Sequence, residues 1–191
     1  MQTEFLSPLI SISATRRYTK KNNGDQMSPI SLRHATKEDV LVIYRMLMES
    51  AVSQNGAGEV CANPENLLED GFSSTPRFQC LVAECDGEPA GIAVYFSIYS
   101  TWTSRKGCYL EDLYVAPQFR RRGVAHALMT ELSGIARDSG CGYMRWLVLR
   151  DNHSAIRFYE SIGARIAGET ALMTLTLPAD DAIVSGPPAN P

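Results

Sequence analysis

The stretch that most constrains this chain is a strand, a turn and a helix in immediate succession. Residues 108–115 (CYLEDLYV) are a mostly apolar extended run, and Pro117 breaks it. Arg120-Arg121-Arg122-Gly123-Val124-Ala125 then leads into a segment where Val124, Leu128, Leu132 and Ile135 share one helical face. Gly140 ends that helix. A helix with one apolar stripe must bury it, and the strand that feeds it must belong to a sheet.

The rest of the chain supplies the partners. Residues 30–35, 78–84 and 89–98 read as strands, the last two joined at Asp86-Gly87, a tight hairpin signal. Residues 143–149 are an apolar strand of the kind a sheet buries on both faces. Residues 165–167 and 171–177 read as a final hairpin. Thr36 opens a first helix with Asp39 placed to serve its first turn, and Val40, Ile43, Tyr44, Leu47 and Met48 follow at helical spacing. Pro64 opens a second helix. Asn152 or Ser154 caps a last one, closed by Gly163. This order predicts a mixed α/β fold, a central mixed sheet with helices on both faces.

At 191 residues the chain suits one domain, placed at residues 28–178. Residues 1–27 differ from it: the polar run TRRYTKKNNGD at 15–25 has no periodicity and predicts a disordered or non-native extension. Residues 179–191 read as a flexible tail. A net charge of −3 argues against a dedicated nucleic-acid binder. No apolar run approaches the roughly 18 residues of a membrane helix, so no membrane partner is expected. Cys80, Cys85 and Cys108 lie in strand-like runs and no C-x-x-C pair occurs. They read as small buried residues in a reducing, cytoplasmic compartment. His34, His126 and His153 are scattered, so no metal site is expected.

Three blocks carry chemistry. The arginine turn at 120–125 opens a helix, where free N–H groups and a partial positive charge favour an anion such as pyrophosphate. Basic residues there oppose the helix dipole, so an anionic ligand explains them better than a solvated face does. Glu111 and Asp112 are adjacent carboxylates in an apolar strand, costly to bury without partners. By strict alternation they face opposite ways, leaving one salt-bridged and one exposed, or one facing a substrate and accepting a proton. Asn152-His153-Ser154-Ala155 begins a helix that carries Phe158-Tyr159, by composition alone a pair of core aromatics.

In order, these blocks resemble the GNAT acyltransferase superfamily. Arg120-x-x-Gly123-x-Ala125 is similar to its acetyl-coenzyme A loop, and Asn152, Ala155, Phe158-Tyr159 and Gly163-Ala164 to its later motif. PENLLEDGF at 64–72, CLVAE at 80–84, YLED at 109–112 and Trp102 resemble the diamine branch, the spermidine/spermine and thialysine N-acetyltransferases. The resemblance implies a mixed, mostly antiparallel twisted sheet of about seven strands, a homodimer, and direct acetyl transfer from acetyl-CoA to a small primary amine, with no metal. It implies backbone contacts from Leu113, Tyr114 and Val115 to the thioester arm. Arg120, Arg121, Arg122, Gly123, Val124, Ala125 and His126 would hold the pyrophosphate, with Asn152, Ser154, Ala155 and Phe158 along the pantetheine. Glu111 would take the amine proton, Tyr159 would protonate the leaving thiolate, and Glu111, Asp112 and Trp102 would meet the acceptor. Polyamine-acetylating members carry further acids where this chain has Ala51-Val52-Ser53-Gln54 and Ser100-Thr101. A protein amine as acceptor, and a non-catalytic acetyl-CoA-binding module, are the alternative functions.

Overall fold

The computed structural model describes residues 16–18, 29–54, 56, 58, 60–168 and 172. The chain divides into two units, residues 1–149 and 150–191. In the first unit a six-stranded sheet runs in chain order: β1 (Arg16–Tyr18), β2 (Ile30–His34), β3 (Gln79–Cys85), β4 (Glu88–Ser100), β5 (Arg105–Val115) and β6 (Tyr143–Arg145). Its pairings are antiparallel except β5 with β6. The hairpin between β3 and β4 turns at Asp86 and Gly87, both at positive φ, the geometry that matches the twist of the flanking strands.

Cross-strand register separates the two faces of the sheet. Arg33, Val82, Ile92 and Tyr114 form one row; Leu32, Ala83, Gly91 and Val115 form the next, on the opposite face. The Gly91 row meets α3 (Val124–Asp138), since a Cβ at Gly91 would lie 3.3 Å from Val124. The Tyr114 row meets α1 (Val40–Ser53), whose Glu49 hydrogen-bonds the Tyr114 phenol. Helices therefore cover both faces, with α2 (Pro64–Phe72) packed on α1. Val82, Ala83, Ile92 and Ala93 are fully buried, as a sheet covered on both sides requires. Cys80, Cys85 and Cys108 are buried free thiols.

One ionic cluster pins the start of α1 to the sheet. Arg33 donates to the Asp39 carboxylate at 2.6 and 2.8 Å and to Glu84 at 2.9 Å. Asp39 also accepts the Thr36 N–H at 2.8 Å, the contact expected at this helix start. The Arg33 guanidinium holds the Asp39 carboxyl below the usual carboxylate range.

The structure departs from the sequence reading in three places. Arg16–Tyr18, read as part of a structureless extension, is a strand paired to β2. The strand expected at 143–149 stops at Arg145 and leaves Leu147 and Leu149 exposed. Residues 165–167 are irregular; they sit between Gly163 and Gly168, both at positive φ, and Ile166 is exposed, so no buried face holds them as a strand. The described sheet thus has six strands against about seven expected. The strand expected at 171–177 falls outside the described residues apart from Leu172, which is in no strand, and the tail at 179–191 lies wholly outside them.

Gly91 is fixed by close approach: an added Cβ would sit 2.6 Å from the Tyr114 carbonyl oxygen. Gly91→Ala is expected to lower stability by about 1–3 kcal/mol through overpacking, measured by urea unfolding.

Candidate functional site

The site in the first unit begins with an irregularity in β5. Val94 pairs with Asp112 and the next residue, Tyr95, pairs with Leu110, so Glu111 is an extra residue without a partner. This is a β-bulge, which bends a strand and breaks the alternation of its side chains. Strict alternation is broken for that reason between Leu110 and Asp112, which pair with the successive residues Tyr95 and Val94. Glu111 is exposed and Asp112 is half-buried. Burial first, and then the Glu111 charge, push the Asp112 carboxyl up to about 6. No cation pairs with it among the described residues. The sequence signal was present: two carboxylates inside an apolar strand conflict with a regular ladder.

The bulge also accounts for the early end of β6. Parallel pairing runs from Gly107↔Tyr143 to Tyr109↔Arg145 and stops two residues before Glu111. From there to Val115, the side of β5 away from β4 has no strand partner among the described residues. Leu113, Tyr114 and Val115 lie on this open edge, where an extended ligand arm can take backbone hydrogen bonds as an added strand would.

After β5 the chain makes a short helical turn, Pro117–Phe119, and reaches α3 through residues 120–123. Arg121 and Gly123 both have positive φ, at 61° and 94°. The start of α3 has no side-chain cap and no acid in its first turn, so its own side chains leave the first N–H groups, at Val124, Ala125 and His126, to a ligand. The three arginines differ in role. Arg120 Nε donates to the Val115 carbonyl at 3.0 Å, with its guanidinium 5.8 Å from the Tyr114 ring centroid; it ties the turn to the end of β5. Arg122 lies over Phe119 at 5.5 Å. Arg121 is exposed on the tightest part of the turn. His126 shares a 3.3 Å hydrogen bond with Thr130. An anion with an extended arm fits this donor set: unfilled amides, flanking guanidinium groups and an open strand edge.

Trp102 stands apart. It is 98% exposed at the tip of the β4–β5 hairpin. That hairpin is paired to Ser100↔Arg105, which sets the tip more than roughly 20 Å from Asp112 along the strand. Within one chain the fold does not bring Trp102 to the carboxylates.

In the second unit, α4 (His153–Ser161) is capped by Asn152, whose side-chain oxygen accepts the Ala155 N–H at 3.1 Å. The cap is Asn152, not Ser154, which is exposed. Phe158 and Tyr159 are half-buried, their rings 5.3 Å apart and tilted by 55°. Burial pushes the Tyr159 phenol up from its ordinary value, so it stays protonated at neutral pH.

The family model for the acetyltransferase (GNAT) family matches residues 41–164. The chain belongs to that family. It is 38% identical over 147 residues to thialysine N-epsilon-acetyltransferase of Sus scrofa, a match covering 73% of this chain and 86% of that protein. It is 43% identical over 120 residues to the Caenorhabditis elegans protein of the same name, covering 63% and 73%. Human spermidine/spermine N(1)-acetyltransferase-like protein 1 is 34% identical over 145 residues, 72% of this chain and 21% of that protein. Among solved structures, an aminoglycoside acetyltransferase from an uncultured soil metagenomic sample, in complex with sisomicin, superposes with a TM-score of 0.66 at 14% identity, covering 78% of this chain and 97% of that one; that likeness concerns the fold. The chain is an acetyltransferase, and the family uses acetyl-CoA.

The position of the Asp112 titration is testable directly. Its carboxyl resonance should titrate near 6, and Glu111→Gln, which removes the neighbouring negative charge, should lower that midpoint. The folded protein binds this proton more tightly than the unfolded chain does. Asp112 therefore costs the fold nothing below the ordinary carboxylate pKa and its full penalty above about 6.

Proposed function

We propose that this protein transfers acetyl from acetyl-CoA directly to a primary amine of a small, short acceptor of the thialysine or diamine type. The observation that carries this reading is the carboxylate pair at the β5 bulge, exposed Glu111 and half-buried Asp112, beside the open strand edge. A cationic amine supplies the counter-charge that Asp112 lacks within the described chain.

A free amine has a pKa of about 10.4 and arrives as ammonium. Asp112 holds it by charge and Glu111 takes its proton, directly or through one water. Acetyl-CoA supplies the activated acyl group. The backbone N–H of Val115, which faces away from β4, stabilises the charge that develops on the carbonyl oxygen. The amine nitrogen bonds to the carbonyl carbon as the carbon–sulfur bond breaks, and Tyr159 returns a proton to the thiolate. A thiol of pKa roughly 8.5 is a good leaving group, so this last help is modest. The first turn of α3 with Arg121 and Arg122 holds the pyrophosphate. Arg120 acts by fixing the turn, and the region from Asn152 to Phe158 lines the pantetheine.

The relatives are named as thialysine N-epsilon-acetyltransferases and as a spermidine/spermine N(1)-acetyltransferase-like protein. Ala51-Val52-Ser53-Gln54 and Ser100-Thr101 offer no carboxylates, and a long polycation needs several along its path. This favours the shorter acceptor. We place the catalytic domain at residues 28–178, working as a cytoplasmic homodimer, in keeping with the diamine branch that the motifs resemble.

The test is thiol release from acetyl-CoA with putrescine, spermidine, spermine, thialysine, lysine and a peptide with a free N-terminus. Turnover on thialysine or putrescine well above the polyamines is expected; turnover confined to the peptide would overturn the reading. Tyr159→Phe should lower kcat by roughly 10–100-fold and leave acetyl-CoA affinity within about twofold. As pH rises, kcat/KM should climb through about 6 as Asp112 ionises, and Asp112→Asn should remove that limb.

A further inference from the structure

The strand β1 lies outside the stretch matched by the family model, which begins at residue 41. It covers the edge of β2 through three pairs, Arg16↔Leu32, Arg17↔Ser31 and Tyr18↔Ile30. Three antiparallel residues hold weakly by themselves. A second contact adds to them: the Tyr18 hydroxyl donates to Glu131 Oε2 at 2.6 Å, across 113 residues of sequence.

Glu131 is not a surface residue. It is 6% exposed on the buried face of α3. Around it lie the His34 imidazole of β2 and the Tyr95 phenol of β4, both within its electrostatic reach. The His34 Nε2 and Tyr95 Oη atoms are buried without a protein partner among the described residues. A carboxylate in such a place needs donors, and losing one leaves a buried charge under-satisfied. Tyr18 brings such a donor from a strand held by only three residue pairs. Glu131 also sits two turns into the helix whose first N–H groups face the coenzyme in the function proposed above.

We infer that Arg16–Tyr18 is a detachable clasp: docked, it seals the β2 edge and fastens α3 through Tyr18–Glu131, and undocked, it loosens both. In the docked state the chain outside the family domain stiffens the helix that presents the anion site. A ligand that favours the fastened helix must then favour the docked clasp, since the two are linked.

Tyr18→Phe keeps the ring and the strand propensity and removes the hydroxyl. Amide hydrogen exchange should speed up at least roughly tenfold in β2 and in the middle of α3, while α2 stays unchanged. The dissociation constant for acetyl-CoA should rise about fivefold. Deletion of residues 1–18 should reproduce both effects. Exchange in β2 and α3 equal to that of the parent protein, in the variant and in the deletion, would overturn the clasp. Faster exchange with unchanged acetyl-CoA affinity would overturn its link to the coenzyme site. A parent protein that binds no acetyl-CoA would sink the functional reading instead, and the exchange result would still decide the clasp.

Discussion

A β-bulge inserts a residue that the neighbouring ladder cannot match, and here one such insertion, Glu111, organises the surroundings of the candidate site. A regular β5 would pair with β6 along its length and bury its backbone amides in the sheet. The bulge ends that pairing at Tyr109↔Arg145. It thereby frees the edge from Leu113 to Val115 and sets the two carboxylates beside it. Open edges usually invite unwanted pairing. This one is short, bordered by charge, and followed at once by the turn into α3. It is suited to a ligand that binds as a strand at one end and as an anion at the other.

The helix start supplies that second half, and its geometry shows which residues are structural. A left-handed Arg121 is unfavourable for a residue with a side chain, whereas Gly123 takes the same region freely. The strain at Arg121 persists because Arg120 bonds the Val115 carbonyl and stacks on Tyr114, while Phe119 is buried beneath Arg122. Tyr114 in turn bonds Glu49 of α1. The turn is held from both sides by contacts between strand and arginine, and its amides are left to a ligand.

Much of this was legible from residue patterns, and the failures share one cause. Asp86-Gly87 named its hairpin, the stripe Val124, Leu128, Leu132 and Ile135 named the buried face of α3, and the pair Asn152 and Ser154 bracketed the start of α4, because each signal is local. The bulge at Glu111, the early end of β6 and the docking of Arg16–Tyr18 are settled between segments far apart. Alternation presumes a regular ladder, so it gave no sign that Glu111 has no partner on β4. Apolar composition presumes burial, so it extended β6 through Leu147 and Leu149, which are exposed. A polar run without periodicity gave no hint that Tyr18 has a buried partner in Glu131.

The two carboxylates at the bulge differ in their surroundings. The Glu111 charge adds to the effect of burial on Asp112. Burial raises Asp112 towards neutrality, while exposed Glu111 keeps access to solvent and to an incoming amine. An ammonium ion entering beside Asp112 reverses the local balance, because an opposite charge favours the ionised carboxylate and compensates its burial. A cation bound there would hold Asp112 in its ionised form. This arrangement penalises neutral ligands, which leave a buried carboxylate uncompensated. It rewards a compact cation and gains little from the far end of a long one. The chain carries no carboxylate at 51–54 or 100–101, so the acidic charge at the bulge has no counterpart in those two segments.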